Sequence, residues 1–196
     1  MYGKNRSGYG VVPLVDTDGS VLVKQSGGAL ADAAMQGRLF VASMQTPTTT
    51  STTLNTTFVG LALCNPTGSG KTFIVHQFWY AATAALTAAA VLALATTTDS
   101  GMAADITPRC VRYGKATSAA IVDKGATIDA PVIERIITNL GQGAVTVALG
   151  GSAPNVVDLL GGIVLDPGRA VVTDTTVAVG AVMQFGFLWE EIPYAA

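Results

Sequence analysis

Short apolar runs rich in β-branched residues alternate along this chain with clusters of Gly, Pro, Thr and Asp. That punctuation predicts many β-strands joined by turns. Leu39-Phe40-Val41-Ala42-Ser43-Met44 reads as a strand. Pro47 and a Thr/Ser tract then lead to a second run, Phe58-Val59-Gly60-Leu61-Ala62-Leu63-Cys64. A third, Thr72 to Tyr80, is bulky and β-prone throughout, and the Pro/Gly-rich stretch before it predicts a hairpin with an eight-residue loop. Ile163-Val164-Leu165 and Ala170-Val171-Val172 flank Asp166-Pro167-Gly168, a turn with Pro and Gly where each is best tolerated. Cys110 to Tyr113, Ala119 to Val122, Val145 to Leu149 and Ala178 to Glu191 are further strand candidates, the last closing at Pro193.

Two segments fit either period. Ala81 to Ala95 is alanine-rich with Thr83, Thr87 and Val91 at helical spacing, yet Val91-Leu92-Ala93-Leu94-Ala95 also reads as a strand. In Val132 to Leu140, Ile133, Ile136, Ile137 and Leu140 suit a helix as well as a strand. No strand–helix unit recurs, so the pattern predicts an all-β, antiparallel sandwich or barrel.

Residues 1–35 differ from the rest. Gly3, Gly8, Gly10, Gly19, Gly27 and Gly28 interrupt short runs such as Val11-Val12-Pro13-Leu14-Val15 and Val21-Leu22-Val23, with turn chemistry at Asp16-Thr17-Asp18-Gly19. So many glycines and so few large side chains build no core. The expected organisation is an extended N-terminal arm over 1–35 and a β-sandwich domain over 36–196, with a short helix within Ala29 to Arg38.

Composition changes the picture in one respect. Charged residues make up 12% of the 196 against 49% hydrophobic, about half the usual charged share. Either threonine, glycine and asparagine keep the surface polar, or other subunits cover much of it; the second is the expectation carried forward. Net charge is −2 and no basic run occurs, which argues against direct nucleic-acid binding. The most apolar stretch, Ala81 to Ala95, is shorter than the roughly 20 residues a membrane helix needs. The N-terminus has no secretory pattern, so assembly in a reducing cytoplasm is expected. Cys64 and Cys110 lack a CxxC or a neighbouring histidine and read as buried thiols.

Asn65-Pro66-Thr67-Gly68-Ser69-Gly70-Lys71-Thr72 invites a nucleotide-binding reading, because Gly70-Lys71-Thr72 matches the end of a P-loop. Ile163-Val164-Leu165-Asp166 would then offer the magnesium-side aspartate. Against this, Asn65 replaces the first glycine, strand-forming residues follow Lys71 where a helix N-terminus is required, and Asp166 leads into Pro167-Gly168. The preferred reading is a turn between paired strands that holds no ligand. His76, the single histidine, reads as a sheet residue, and Ser69 lies outside any GxSxG pattern. Glu190 and Glu191 are adjacent and so face opposite sides of a strand, unsuited to a converging carboxylate pair. One is expected to anchor a loop or subunit and the other to meet solvent, with Trp79 and Trp189 as core or interface anchors. No catalytic, cofactor-binding or metal-ligating residue is assigned.

Several segments, in order, resemble small bacteriophage virion proteins: Tyr9-Gly10-Val11-Val12-Pro13 with Asp18-Gly19, then Gly37 to Ser43, then Asn65 to Lys71, which is similar to an NPxGSGK turn. Leu165 to Ala170 resembles a PPG turn with Asp166 in place of one proline, and Phe187 to Pro193 carries a WEEIP ending. The resemblance implies a jelly-roll-like sandwich built into a phage particle, without catalytic residues. The function expected is a non-enzymatic decoration or cement protein of the head. It would form homotrimers against the major capsid protein or other virion proteins, after assembly in the host cytoplasm. A tail, head–tail junction or fibre component is the alternative, and a P-loop enzyme a third.

Overall fold

The computed structural model describes residues 3–4, 10–11, 14–15, 21–22, 29–50, 57–84, 86, 88–128, 131–140 and 155–194. The chain divides into two compact units, Met1–Asp32 and Ala33–Ala196. In the first, β1 (Gly3–Lys4) pairs with β2 (Gly10–Val11) and β3 (Leu14–Val15) with β4 (Val21–Leu22), both antiparallel. The strand-like pieces on either side of Asp16 to Gly19 are thus partners. The turn itself, and most of the expected arm, lie outside the described residues.

The helix expected near Ala29 forms as α1 (Ala29–Gln36). It stops because Gly37 takes a positive φ of 75°, letting the Gly37 and Arg38 N–H groups bond back to Ala34 and Ala33 at 3.0 and 2.9 Å. This paired closure satisfies carbonyls the last turn would leave orphaned.

Among the described residues eleven strands follow: β5 (Leu39–Ser43), β6 (Thr48–Thr49), β7 (Thr57–Asn65), β8 (Lys71–Ala82), β9 (Ala90–Thr98), β10 (Arg109–Cys110), β11 (Ile121–Thr127), β12 (Val132–Leu140), β13 (Asn155–Leu165), β14 (Arg169–Thr175) and β15 (Ala181–Pro193). They form two antiparallel sheets packed together, an all-β sandwich. One sheet runs β10-β5-β15-β8-β13, with β6 also on β15; the other runs β11-β7-β14-β9-β12. Phe40, Leu61, Leu63, Phe73, Phe78, Leu92, Leu94, Val171, Phe185, Phe187 and Trp189 fill the space between them. Along β9 the alternation is large and small. Leu92 and Leu94 join the central core, while Ala95 belongs to a smaller cluster with Ala62, Val172 and Ile128. That period of two settles 90–98 as a strand. The helical option for 132–140 is likewise not taken.

The hairpin expected between Phe58–Cys64 and Thr72–Tyr80 is not one. β7 pairs with β11 and β14, whereas β8 pairs with β15 and β13 in the facing sheet. Residues 66–70 therefore arch across the sandwich. The Asp166-Pro167-Gly168 turn crosses in the same way, from β13 to β14. The candidate at Cys110–Tyr113 shortens to Arg109–Cys110, followed by a turn with Gly114 at positive φ. Val145–Leu149 lies outside the described residues. Among the described residues no helix is long and apolar enough to cross a membrane.

Candidate functional site

Three of the segments that stood out in the sequence, 65–72, 165–170 and the end of the last strand, meet at one end of the sandwich. Asn65 closes β7 fully buried, and its carboxamide joins three segments. Nδ2 donates to the carbonyls of Lys71 and Leu165, both at 2.8 Å, and Oδ1 accepts from Ser69 Oγ at 2.5 Å. Ser69 Oγ in turn accepts from the Lys71 N–H at 3.2 Å. Gly168 donates its N–H to Asn65 O at 2.8 Å, and Tyr194, just past β15, donates to Gly70 O at 3.0 Å. Thr72 Oγ1 reaches Asp166 Oδ1 at 3.4 Å. Gly68 and Gly168 hold φ values of 80° and 85°, which suit the third position of turns closed by Ser69 N–H to Pro66 O and Arg169 N–H to Asp166 O.

This geometry decides what the loop can present. A phosphate cradle aims free backbone N–H groups at an anion from the N-terminus of a helix. Here Lys71 opens a strand of 12 residues. The N–H groups of Thr67, Ser69 and Lys71 are already bonded, to Asp99 Oδ2 at 2.8 Å, Pro66 O and Ser69 Oγ. The Thr67 donor holds the Asp99 carboxyl below its usual range, so a negative group already occupies that side of the loop.

Glu190 and Glu191 face opposite ways, as adjacent strand residues must. Glu191 is buried, accepting from Trp189 Nε1 at 3.1 Å, from the Ala119 N–H at 3.1 Å and from Ser118 Oγ. It anchors the 118–120 segment, the role expected for one of the pair. Glu190 departs from the expectation of a glutamate that simply meets solvent: it forms an ion pair with Arg38. His76 Nε2 stands 3.4 Å from Glu190 Oε2 without a hydrogen bond. His76 sits where β8 bulges, since Val75 pairs with Trp189 and Gln77 with Leu188, leaving it unmatched. The sequence reading missed this Arg38–Glu190–His76 group, because nothing local links residues so far apart in the chain.

Trp189 lies in the core against Phe40 and Phe73, with ring centroids 6.2 and 6.4 Å away. Trp79 lies across Gly186, where an added Cβ would come within 2.2 Å of its ring. Both cysteines are free and buried. Burial first, then Asp99 and Asp123, pushes the Cys64 thiol up to about 12, which leaves it protonated and unreactive. Asp123, also buried, receives N–H groups from Ala103 at 2.6 Å and Gly125 at 2.9 Å and so fastens the 99–107 segment.

Beyond these structural anchors the described surface offers a groove of about 360 Å³ beside β5, lined by Val41, Ser43, Gln45, Asp105, Ile106 and Arg109. Apolar side chains stand exposed on the two edge strands β12 and β13: Val132, Ile133, Ile136, Val156, Leu160 and Val164. Among the described residues no three of His, Cys, Asp and Glu gather as a metal site. No protein-family model, curated protein or solved structure matches this chain.

Proposed function

We propose that this chain is a non-enzymatic structural protein of a bacteriophage particle, a jelly-roll subunit that decorates and cements the head as a homotrimer. The observation that carries the reading is the strand order. Eight strands lie as β5-β15-β8-β13 against β7-β14-β9-β12, and β7, β8 and β9 and later β13, β14 and β15 alternate between the sheets. A double-sheet roll wound this way is an architecture of viral capsid domains, shared with lectins and cupins. Two further features favour the capsid use among these. Three of the segments that resemble virion proteins, 65–71, 165–170 and 187–193, meet at one joint through Asn65, Gly168 and the Pro193–Lys71 pair, and exposed apolar side chains stand on β12 and β13. Function on this reading is mechanical: apolar faces are buried against neighbouring subunits, and many copies add their modest contacts.

The test is to purify the particles encoded with this chain and count its copies by quantitative mass spectrometry. Hundreds per particle are expected for head decoration, a dozen or fewer would move the protein to the tail, and absence from particles would overturn the reading. Deleting residues 1–28 is expected to weaken incorporation while the sandwich still folds. Calorimetry with millimolar magnesium ATP is expected to show no binding; binding lost in Lys71→Ala would restore the enzyme alternative.

A further inference from the structure

The ladder between β5 and β10 stops one rung early. Even-numbered residues of β5 bond to β15, as the Met44 N–H does to Phe185 O at 3.0 Å, so the odd-numbered ones face β10. The Val111 N–H meets Leu39 O at 2.9 Å and Arg109 lies opposite Val41, but the next rung, Thr107 against Ser43, is not made. The chain is drawn off before it, because the Asp105 and Ile106 N–H groups both donate to Val122 O on β11, in the facing sheet, at 3.1 and 3.0 Å. The Ser43 N–H is thereby left without a partner among the described residues, and Ser43 O receives only the Gln45 side chain, at 3.1 Å. Unpaired edge groups of this kind are where an extended chain adds to a sheet.

The side chains around the gap make it the groove of about 360 Å³ beside β5, a volume within the range of small-ligand sites. Phe40 and Ala42 turn into the core, so by strand alternation Val41 and Ser43, with Gln45 just beyond, form one wall. Asp105, Thr107 and Arg109 form the other, while Ile106 between them packs on the core. Arg109 stands at the Val41 end, and Asp105, which also borders a smaller hollow with Gln45, at the opposite end. Asp105 and Arg109 are both exposed, and among the described residues neither side chain has an ion-pair or hydrogen-bond partner. Lys124, in that smaller hollow, leaves the Asp105 carboxylate unpaired too. Four residues of extended chain, at most about 14 Å, separate the two charges.

We infer that this groove binds a free peptide of two or three residues, extended antiparallel to β5. Its C-terminal carboxylate meets the Arg109 guanidinium, its N-terminal ammonium meets the Asp105 carboxylate, and a carbonyl between them accepts the Ser43 N–H. Two or three residues span about 7–10 Å, which the two side chains reaching inward bring within contact. The Val41, Ala42 and Ile106 surfaces suit small or aliphatic side chains. A neutral sugar would leave each charge in the groove without its opposite, whereas a peptide with free termini supplies both. The inference is independent of the virion reading.

Amide proton–nitrogen correlation spectra of the full chain test it, with millimolar trialanine as the probe. Saturable shifts are expected at the Ser43 and Thr107 amides. Arg109→Gln and Asp105→Asn are each expected to raise the dissociation constant roughly tenfold or more, since each removes a charge-assisted hydrogen bond. Both residues are exposed, so each variant is expected to melt with wild type, which separates lost binding from lost folding. Amidating the C-terminus of the peptide is expected to weaken binding to wild type as Arg109→Gln does, with little further loss in that variant. Acetylating its N-terminus is expected to do the same for Asp105→Asn. Absence of saturable shifts, shifts confined to surfaces away from β5, or variants that bind as wild type does would each overturn the inference. So would acetylated trialanine binding as tightly as the free peptide, which would make the ligand the C-terminus of a longer chain, or maltotriose binding equally well.

Discussion

Replacing Asn65 with alanine isolates the joint at the end of the sandwich. The substitution removes three hydrogen bonds, to Lys71 O, Leu165 O and Ser69 Oγ. Each is worth about 1 kcal/mol net, and a buried carbonyl left without a donor costs about 1–3 kcal/mol more. Leu165 is buried and bears that cost in full, while Lys71 is half-buried and partly regains water. The expected loss is about 3–5 kcal/mol, or roughly 10 °C in Tm for a chain of this size. Asn65→Asp keeps the shape, discards both donors and sets a carboxylate against two carbonyls, so it should cost at least as much. Ser69→Ala alone should cost about 1 kcal/mol, and the double variant should show coupling of about 1 kcal/mol, because both residues serve one network. Urea unfolding followed by far-UV circular dichroism reads all four variants against wild type, with an unchanged m value expected. An Asn65→Ala unfolding free energy within about 1 kcal/mol of wild type would refute the claim that this carboxamide fastens the two sheets.

Other outcomes follow from single contacts. Gly186→Ala should destabilise by about 1–3 kcal/mol, since its Cβ would meet the Trp79 ring at 2.2 Å, and Trp79→Leu should recover most of that loss in the same unfolding assay. Burial raises the Asp174 carboxyl from 3.8 to about 6, so the folded protein holds this proton more tightly than the unfolded chain. The resulting penalty is absent below the unfolded value, grows as pH rises from 3.8 to about 6, and is complete above that. Asp174→Asn should therefore gain on the order of 2 kcal/mol more at about pH 7.5 than at about pH 4, and an equal effect at both would count against burial as the cause.

Much of the sandwich is legible in the sequence because its strands carry their own signals. β5, β7, β8 and β14 follow from β-branched runs, and the turn at 166–168 from proline and glycine. The partners of a strand are less visible. Nothing within Asn65–Thr72 distinguishes a hairpin from an arch, since both need a reversing turn. The choice is made by β14 and β15, a hundred residues downstream, which pair with β7 and β8 in separate sheets. The long connection was the available hint, since paired neighbours favour shorter loops. The helical look of Val132–Leu140 has a definite origin too. Register shifts between Ile133 and Arg135 and between Ile136 and Thr138 break the alternation of two, so Ile133, Ile136, Ile137 and Leu140 fall at helix-like intervals along a strand.

The joint explains why motifs so far apart in the chain occur together. The arch of residues 66–70 can cross between the sheets only if Asn65 supplies donors on its inner side and glycine at 68 accepts a positive φ. The 166–168 turn must present Leu165 O to that carboxamide and the Gly168 N–H to Asn65 O, and a side chain at 168 would crowd Thr67 Oγ1 at 3.0 Å. The closing strand completes the set, because Pro193 pairs with Lys71 and Tyr194 bonds Gly70 O. Each segment answers a demand set by the other two. The glycines and the lysine that imitate a phosphate loop are thereby accounted for by chain geometry: Gly68 turns the arch, and Lys71 contributes its backbone to Asn65 and Ser69 as the first residue of β8.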